Sequence, residues 1–134
     1  MRNPIRRPQI VIGEIEHRQL QILAMAGIGH TADAADDLFH EMDRARVVPD
    51  AALARDVVRM GSTVRYRTDT GQEQVVTPVY PAHADISAGK ISVLTPVGTA
   101  LIGLRAGQSI SWMTRNGRTQ VLTAVSVSHP SSNQ

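Results

Sequence analysis

The chain contains no cysteine, and that removes disulfide frameworks, Cys-based zinc sites and thiol chemistry at once. Aromatic residues are almost as scarce: Phe39, Tyr66, Tyr80 and Trp112 are all there are, so a core must be aliphatic. Basic residues occur without runs, none longer than Arg6-Arg7, and that argues against a dedicated DNA-binding surface despite a sequence pI near 9.7. No apolar run approaches the roughly 18–20 residues a membrane span needs. The N-terminal MRNPIRRP is basic but lacks the apolar stretch of a secretory signal, so a cytoplasmic location is the expectation.

What is present supports one ordinary domain, or a small domain with an appendage: 134 residues, 42% of them hydrophobic. Charge is unevenly placed. Residues 1–50 carry six Arg and eight acids, whereas residues 51–134 carry eight basic groups and four acids, so the positive half is the C-terminal one. Lys90 is the single lysine.

Two helical stretches open the chain after a short arm, residues 1–9, that reads as frayed. From about Ile12 to Ala26 the spacing predicts an apolar stripe of Ile12, Ile15, Ile22, Leu23 and Ala26, flanked by Leu20, with Glu16, Arg18 and Gln21 facing away. Gly27 and Gly29 end that helix. Thr31 is a suitable N-cap for a second helix reaching about Val47, with a stripe of Ala35, Leu38, Phe39 and Met42. Asp33, Asp36 and Asp37 lie in its first turns and Arg44 and Arg46 in its last, as the helix dipole favours. Two such helices joined by a few residues predict an antiparallel hairpin that leans on the rest of the chain.

Beyond Pro49-Asp50 the period changes from 3.6 to 2. Val64–Thr68 alternates, Asp69-Thr70-Gly71 turns the chain, and Gln74–Val79 returns it, with Pro78 and Pro81 placing that strand at an edge or ending it. A polar loop, Ala82–Gly89, closes on Lys90. Ile91 and Val93 form a short strand; Thr95-Pro96 makes a turn, and Val97-Gly98 opens a brief helical segment, Thr99 to Leu104, which stops at a Gly before the next strand. Ile110, Trp112 and Thr114 alternate, Asn116-Gly117 is a strong hairpin signal, and Val121 to Val127 continue the partner strand. The tail from His129 reads as disordered. The expected class is α+β: a helical hairpin over residues 1–50, then a five-stranded antiparallel sheet with one short helix over 51–134.

Several sharper readings fail on their own residues. Gly98-x-x-x-x-Gly103 echoes a phosphate loop, but Leu104-Arg105 stands where Lys and a hydroxyl would contact phosphate and Mg²⁺. The five His, at 17, 30, 40, 83 and 129, show no ligand spacing; His17 and His40 fall on outward helix faces. Trp112 is expected in the core, and Arg65 and Arg67 on a solvated sheet face that could meet an acidic partner.

Taken together, Val57-Val58, Met60-Gly61-Ser62-Thr63-Val64, Asp69-Thr70-Gly71-Gln72-Glu73, Ala84-Asp85, Ala88-Gly89-Lys90-Ile91-Ser92-Val93 and Thr95-Pro96-Val97-Gly98-Thr99-Ala100-Leu101-Ile102-Gly103, with Gly107 beyond, carry a collinear resemblance. Over residues 56–128 the chain resembles the C-terminal domain of the Gre-type transcript-cleavage factors of bacterial RNA polymerase. The short hairpin is similar to that of the Gre-related regulators of nucleoside diphosphate kinase, whose coiled coil is truncated. The resemblance implies an FKBP-like C-terminal domain and docking on RNA polymerase at the mouth of the secondary channel, through Lys90, Thr95, Pro96, Val97, Gly98, Ala100 and Leu101. It implies no cofactor and no catalysis of its own, with nucleic acid met only through the polymerase. In Gre factors the hairpin tip carries an acidic pair that helps hold the second catalytic Mg²⁺. Asp33 and Asp36 occupy the tip region here, but Gre arms are about twice as long, and acids in a first helical turn are what dipole complementarity alone predicts. An FKBP-like fold does not bring prolyl isomerase activity, because the aromatic lining of such a pocket is missing. Rival expectations are a cleavage factor using Asp33 and Asp36, a modulator of nucleoside diphosphate kinase, and a plain protein-interaction module.

Overall fold

The computed structural model describes residues 8–26, 32–113 and 118–129. Its elements are β1 (Val11–Gly13), α1 (Glu14–Ala26), α2 (Ala32–Arg44), β2 (Arg46–Val48), β3 (Thr63–Thr68), β4 (Glu73–Val79), β5 (Lys90–Ser92), α3 (Pro96–Leu101), β6 (Ser109–Met113) and β7 (Thr119–Ser128). The α+β class is therefore as expected, and the five strands of the main sheet stand in the order β5-β4-β3-β7-β6. Thr31, the Asn116-Gly117 turn, residues 1–7 and the tail beyond His129 lie outside the described residues, as does the Trp112 side chain.

The sheet is mixed rather than antiparallel throughout, because β5 runs parallel to β4, with Thr77 opposite Lys90 and Val79 opposite Ser92. The segment between them carries 3₁₀ turns at Pro81–His83 and Ile86–Ala88, which bring the chain back to Thr77, so that β5 runs alongside the last residues of β4. Pro78 is tolerated in β4 because the β3–β4 ladder runs from Val64–Val76 to Arg67–Glu73 and stops before reaching it, so its missing N–H breaks no pair. Its carbonyl instead accepts the Gly61 N–H at 2.8 Å.

The first helix departs most from expectation. Residues Val11–Gly13 form a strand paired in parallel with Arg46–Val48, so α1 begins only at Glu14 and α2 ends at Arg44. The His17 Nε2 atom lies 2.9 Å from the Met42 carbonyl, which sets the start of α1 beside the end of α2 and makes the two helices antiparallel. His17 thus faces its neighbour helix rather than outward. On α1 the buried residues are Leu20 and Ala24, with Leu23 packed against the core, whereas Ile15 and Ile22 are 57% and 62% exposed. Both sets are helically spaced, so periodicity alone could not choose between them. Glu16 is half-buried, not turned away. On α2 the buried residues Ala35, Leu38 and Met42 follow the expected stripe, and Phe39 lies outside it.

Ile10 and Ile12, at 0% and 2% exposure, join Leu20, Leu38 and Met42 in the same aliphatic core as Leu101, Ile102, Leu104, Ile110 and Leu122. The arm is correspondingly held from Pro8 onward: the Pro8 carbonyl accepts from Arg44 Nη1 at 2.7 Å, and Arg44 also pairs with the buried Glu41 at 2.7 Å. His129 is anchored as well, through Ser62 Oγ at 2.8 Å and the Arg55 carbonyl at 2.7 Å.

Candidate functional site

The stretch from Asp85 to Leu101 is built almost wholly by local hydrogen bonds. Asp85 and Lys90 exchange both backbone bonds, Asp85 N–H to the Lys90 carbonyl at 2.8 Å and Lys90 N–H to the Asp85 carbonyl at 2.9 Å. Gly89, at φ 75°, supplies the left-handed residue that lets so short a loop close. The Ser87 hydroxyl donates to the Asp85 carboxylate at 2.6 Å, and this bond, with backbone N–H groups and Lys90 beside it, holds the Asp85 carboxyl below its usual range.

After β5, Thr95 caps α3 in both directions: its Oγ1 accepts the Gly98 N–H at 3.0 Å and donates to the Ser92 carbonyl at 2.7 Å. Pro96 occupies the first helical turn, where its lack of N–H costs nothing. The Thr99 hydroxyl, buried, donates to the Val93 carbonyl at 2.6 Å. These bonds lock a six-residue helix that its own length could not sustain.

The residues singled out in the sequence separate into two groups. Lys90 and Pro96 are exposed, and Thr95 and Val97 are half-buried, so these four present a surface. Gly98, Ala100 and Leu101 are buried; they shape that surface from beneath and do not offer side chains to a partner. Sequence reasoning passed over Ile86, which stands 87% exposed at the apex of the Asp85–Lys90 loop. The signal that could have found it is an isolated Ile between turn residues in an otherwise polar loop.

On α2, Asp36 is exposed, and Asp33 belongs to the helix's first turn with its side chain outside the described residues. Arg65 and Arg67 both reach Glu73, at 3.4 and 2.6 Å, and their hydrogen bonds hold its carboxyl below the usual range.

The helices are tied to the sheet half through polar groups of α1. The Glu16 carboxylate accepts the Met60 N–H at 3.2 Å, and the Tyr80 hydroxyl donates to Gln19 Oε1 at 2.7 Å. Burial pushes the Glu16 carboxyl up, partly offset by the Met60 bond and by Arg59. Burial and the neighbouring Glu16 push the Tyr80 phenol up to about 12. A carboxyl raised by folding contributes stability that is present at low pH and lost as pH rises through its folded value. Glu16→Gln, which keeps an acceptor for Met60, is therefore expected to unfold at higher temperature than the parent at pH 7.5. The two curves should converge at pH 4, and thermal melts at both pH values check this.

Such an assembly defines a class before any particular relative: an α+β domain with a mixed five-stranded sheet, carried beside two short antiparallel helices. Residues 53–129 match the family model described as "Transcription elongation factor, GreA/GreB, C-term". The chain belongs to the GreA/GreB family. It is 40% identical over 111 residues, 79% of each chain, to a protein of Escherichia coli K12 named "Regulator of nucleoside diphosphate kinase". It is 32% identical over 125 residues to "Transcription elongation factor GreA" of Azorhizobium caulinodans, covering 87% of this chain and 80% of that one. A solved structure, "Prokaryotic transcription elongation factor GreA/GreB from Nitrosomonas europaea", superposes with TM-score 0.70 at 37% identity, covering 92% of this chain and all of that one. These relatives are named as regulators and transcription factors. Among the described residues no helix is long and apolar enough to cross a membrane.

Proposed function

We propose that this protein is a non-catalytic regulator that binds bacterial RNA polymerase at the entrance of the secondary channel and competes there with Gre-type factors. The observation that carries the reading is the locked edge Lys90 to Val97, with side chains presented on a preorganised turn, within a chain 40% identical over most of its length to a named regulator of this family. Preorganisation matters because a surface already held in place loses little conformational entropy on docking. In this reading the sheet half is the FKBP-like docking domain, and the helical pair is a truncated coiled coil that points into the channel mouth. Each helix has 13 residues, about 20 Å at 1.5 Å per residue, so the tip stops short of the polymerase active centre. The protein acts where the polymerase works, in the cytoplasm, and needs no cofactor.

The exposed Asp36 favours a second reading, transcript cleavage assisted by tip carboxylates. One set of measurements decides. Purified core polymerase is expected to bind the protein at micromolar concentration or below, and to release it when a Gre factor is added. The protein is expected to stimulate no RNA cleavage in arrested complexes, and Asp33→Ala with Asp36→Ala should leave polymerase affinity within about twofold, as for solvated acids. Absence of binding sinks the first reading; cleavage lost in the double variant establishes the second. The kinase in the relative's name is affected indirectly, through transcription, so a purified mixture with nucleoside diphosphate kinase should show unchanged activity.

A further inference from the structure

Among the described residues Ile86 is the most exposed large aliphatic side chain, ahead of Met25 at 75% and Ile22 at 62%. It does not sit on a loose segment. Besides the two Asp85–Lys90 bonds, Ala88 N–H reaches the Asp85 carbonyl and Gly89 N–H the Ile86 carbonyl, each at 3.0 Å. Its chain neighbours His83, Ala84, Asp85, Ser87 and Ala88 are all exposed as well, and at 87% exposure Ile86 is not shielded by them. Holding an aliphatic side chain in water on a fixed turn gains nothing for folding, since the favourable term comes only with burial.

The loop feeds directly into β5, the edge strand of the sheet, and β5 feeds into Thr95. That edge is closed to strand addition. Lys90 spends both backbone groups on Asp85, and the Ser92 carbonyl accepts from both Thr95 N–H, at 3.0 Å, and Thr95 Oγ1. A partner that reads this edge must therefore use side chains, not main-chain pairing. The side chains on offer are Ile86 where the chain enters β5, exposed Lys90 at its first residue, and exposed Pro96 beyond its end, with Val97 beside it half-buried and packed on the core.

We propose that Ile86 is an apolar anchor of the polymerase-docking edge, seated in a small apolar pocket of the partner, with Lys90 meeting a carboxylate between it and the Pro96–Val97 end. This rests on the polymerase-docking reading above. It adds a contact residue that Lys90 and Thr95–Val97 do not include, and it excludes β-augmentation as the mode of recognition. An aliphatic anchor held on a fixed turn has little ordering cost on binding.

The test uses the full chain and purified bacterial core polymerase in an equilibrium binding assay. Ile86→Ser is expected to weaken binding at least about tenfold while leaving the thermal unfolding midpoint unchanged, because the side chain contributes nothing to the folded monomer. Ile86→Leu is expected to retain affinity within about threefold, as size-conserving aliphatic exchanges do. If Ile86→Ser binds as tightly as the parent, the anchor is refuted while the docking reading survives. If the parent itself does not bind, the docking reading and the anchor fall together.

Discussion

Gly98→Ala is expected to cost about 4 kcal/mol and to lower the unfolding midpoint by about 15 °C, as overpacking plus the loss of two or three hydrogen bonds would. The added methyl would press into the Ser92 carbonyl oxygen and lie 2.9 Å from Val93 Cα. Both are backbone atoms, so no rotamer change relieves the contact. Moving the Ser92–Val93 backbone away would break the two bonds from Thr95 to Ser92 and the one from Thr99 to Val93. The position has no positive φ, so the effect is one of space and not of backbone conformation. Gly71 makes the contrast: at φ 89° with nothing within 4 Å of the added carbon, Gly71→Ala should cost only about 1 kcal/mol of backbone strain. Thermal melts of the two variants check this, and a Gly98→Ala protein melting within two degrees of the parent would show that the strand and α3 can part without penalty.

The second large effect concerns the chain's two halves. A fragment of residues 53–134, which contains the whole family-model match, is expected not to unfold cooperatively. It lacks Ile10, Ile12, Leu20, Leu38 and Met42, all at 2% exposure or less. At about 1.5–3 kcal/mol for each fully buried aliphatic side chain, their loss is on the order of 10 kcal/mol. The stability of a domain is itself only about 5–15 kcal/mol. Ile10 is seated so closely on the following turn that a Cβ at Gly103 would lie 2.8 Å from the Ile10 Cβ, and Val11 N–H donates to the Gly103 carbonyl. Calorimetry on the fragment is the measurement. A single sharp transition near that of the full chain would show that the helices merely decorate a self-sufficient sheet domain.

Much of the sheet half was legible because its signals are local. Alternation marked β3 and β7, and the Asp69-Thr70-Gly71 turn is present, with Gly71 in the left-handed region. The Thr95-Pro96 start of α3 is present too, since a capping hydroxyl and a proline act within one helical turn. The Thr95–Leu101 stretch was likewise legible as a shaped turn. Its division into an exposed ridge and a buried floor was not, because burial of Gly98, Ala100 and Leu101 depends on Ser92, Val93 and the core beneath.

By itself, then, the amino-acid sequence determined the α+β class, the hairpin turn between β3 and β4, the capped short helix, and a set of residues sufficient to mark the GreA/GreB family. Those depend on contacts within a few residues and on a collinear pattern. Tertiary structure alone decided which of two helical stripes α1 buries, that Val11–Gly13 is a strand and not a first helical turn, and that β5 joins its neighbour in parallel. It also decided that the aliphatic side chain left in water at the sheet's edge is Ile86. The physical reason is common to all four. Each is settled by which distant surface removes apolar area from water and completes the backbone hydrogen bonds, and no periodicity within a segment carries that information.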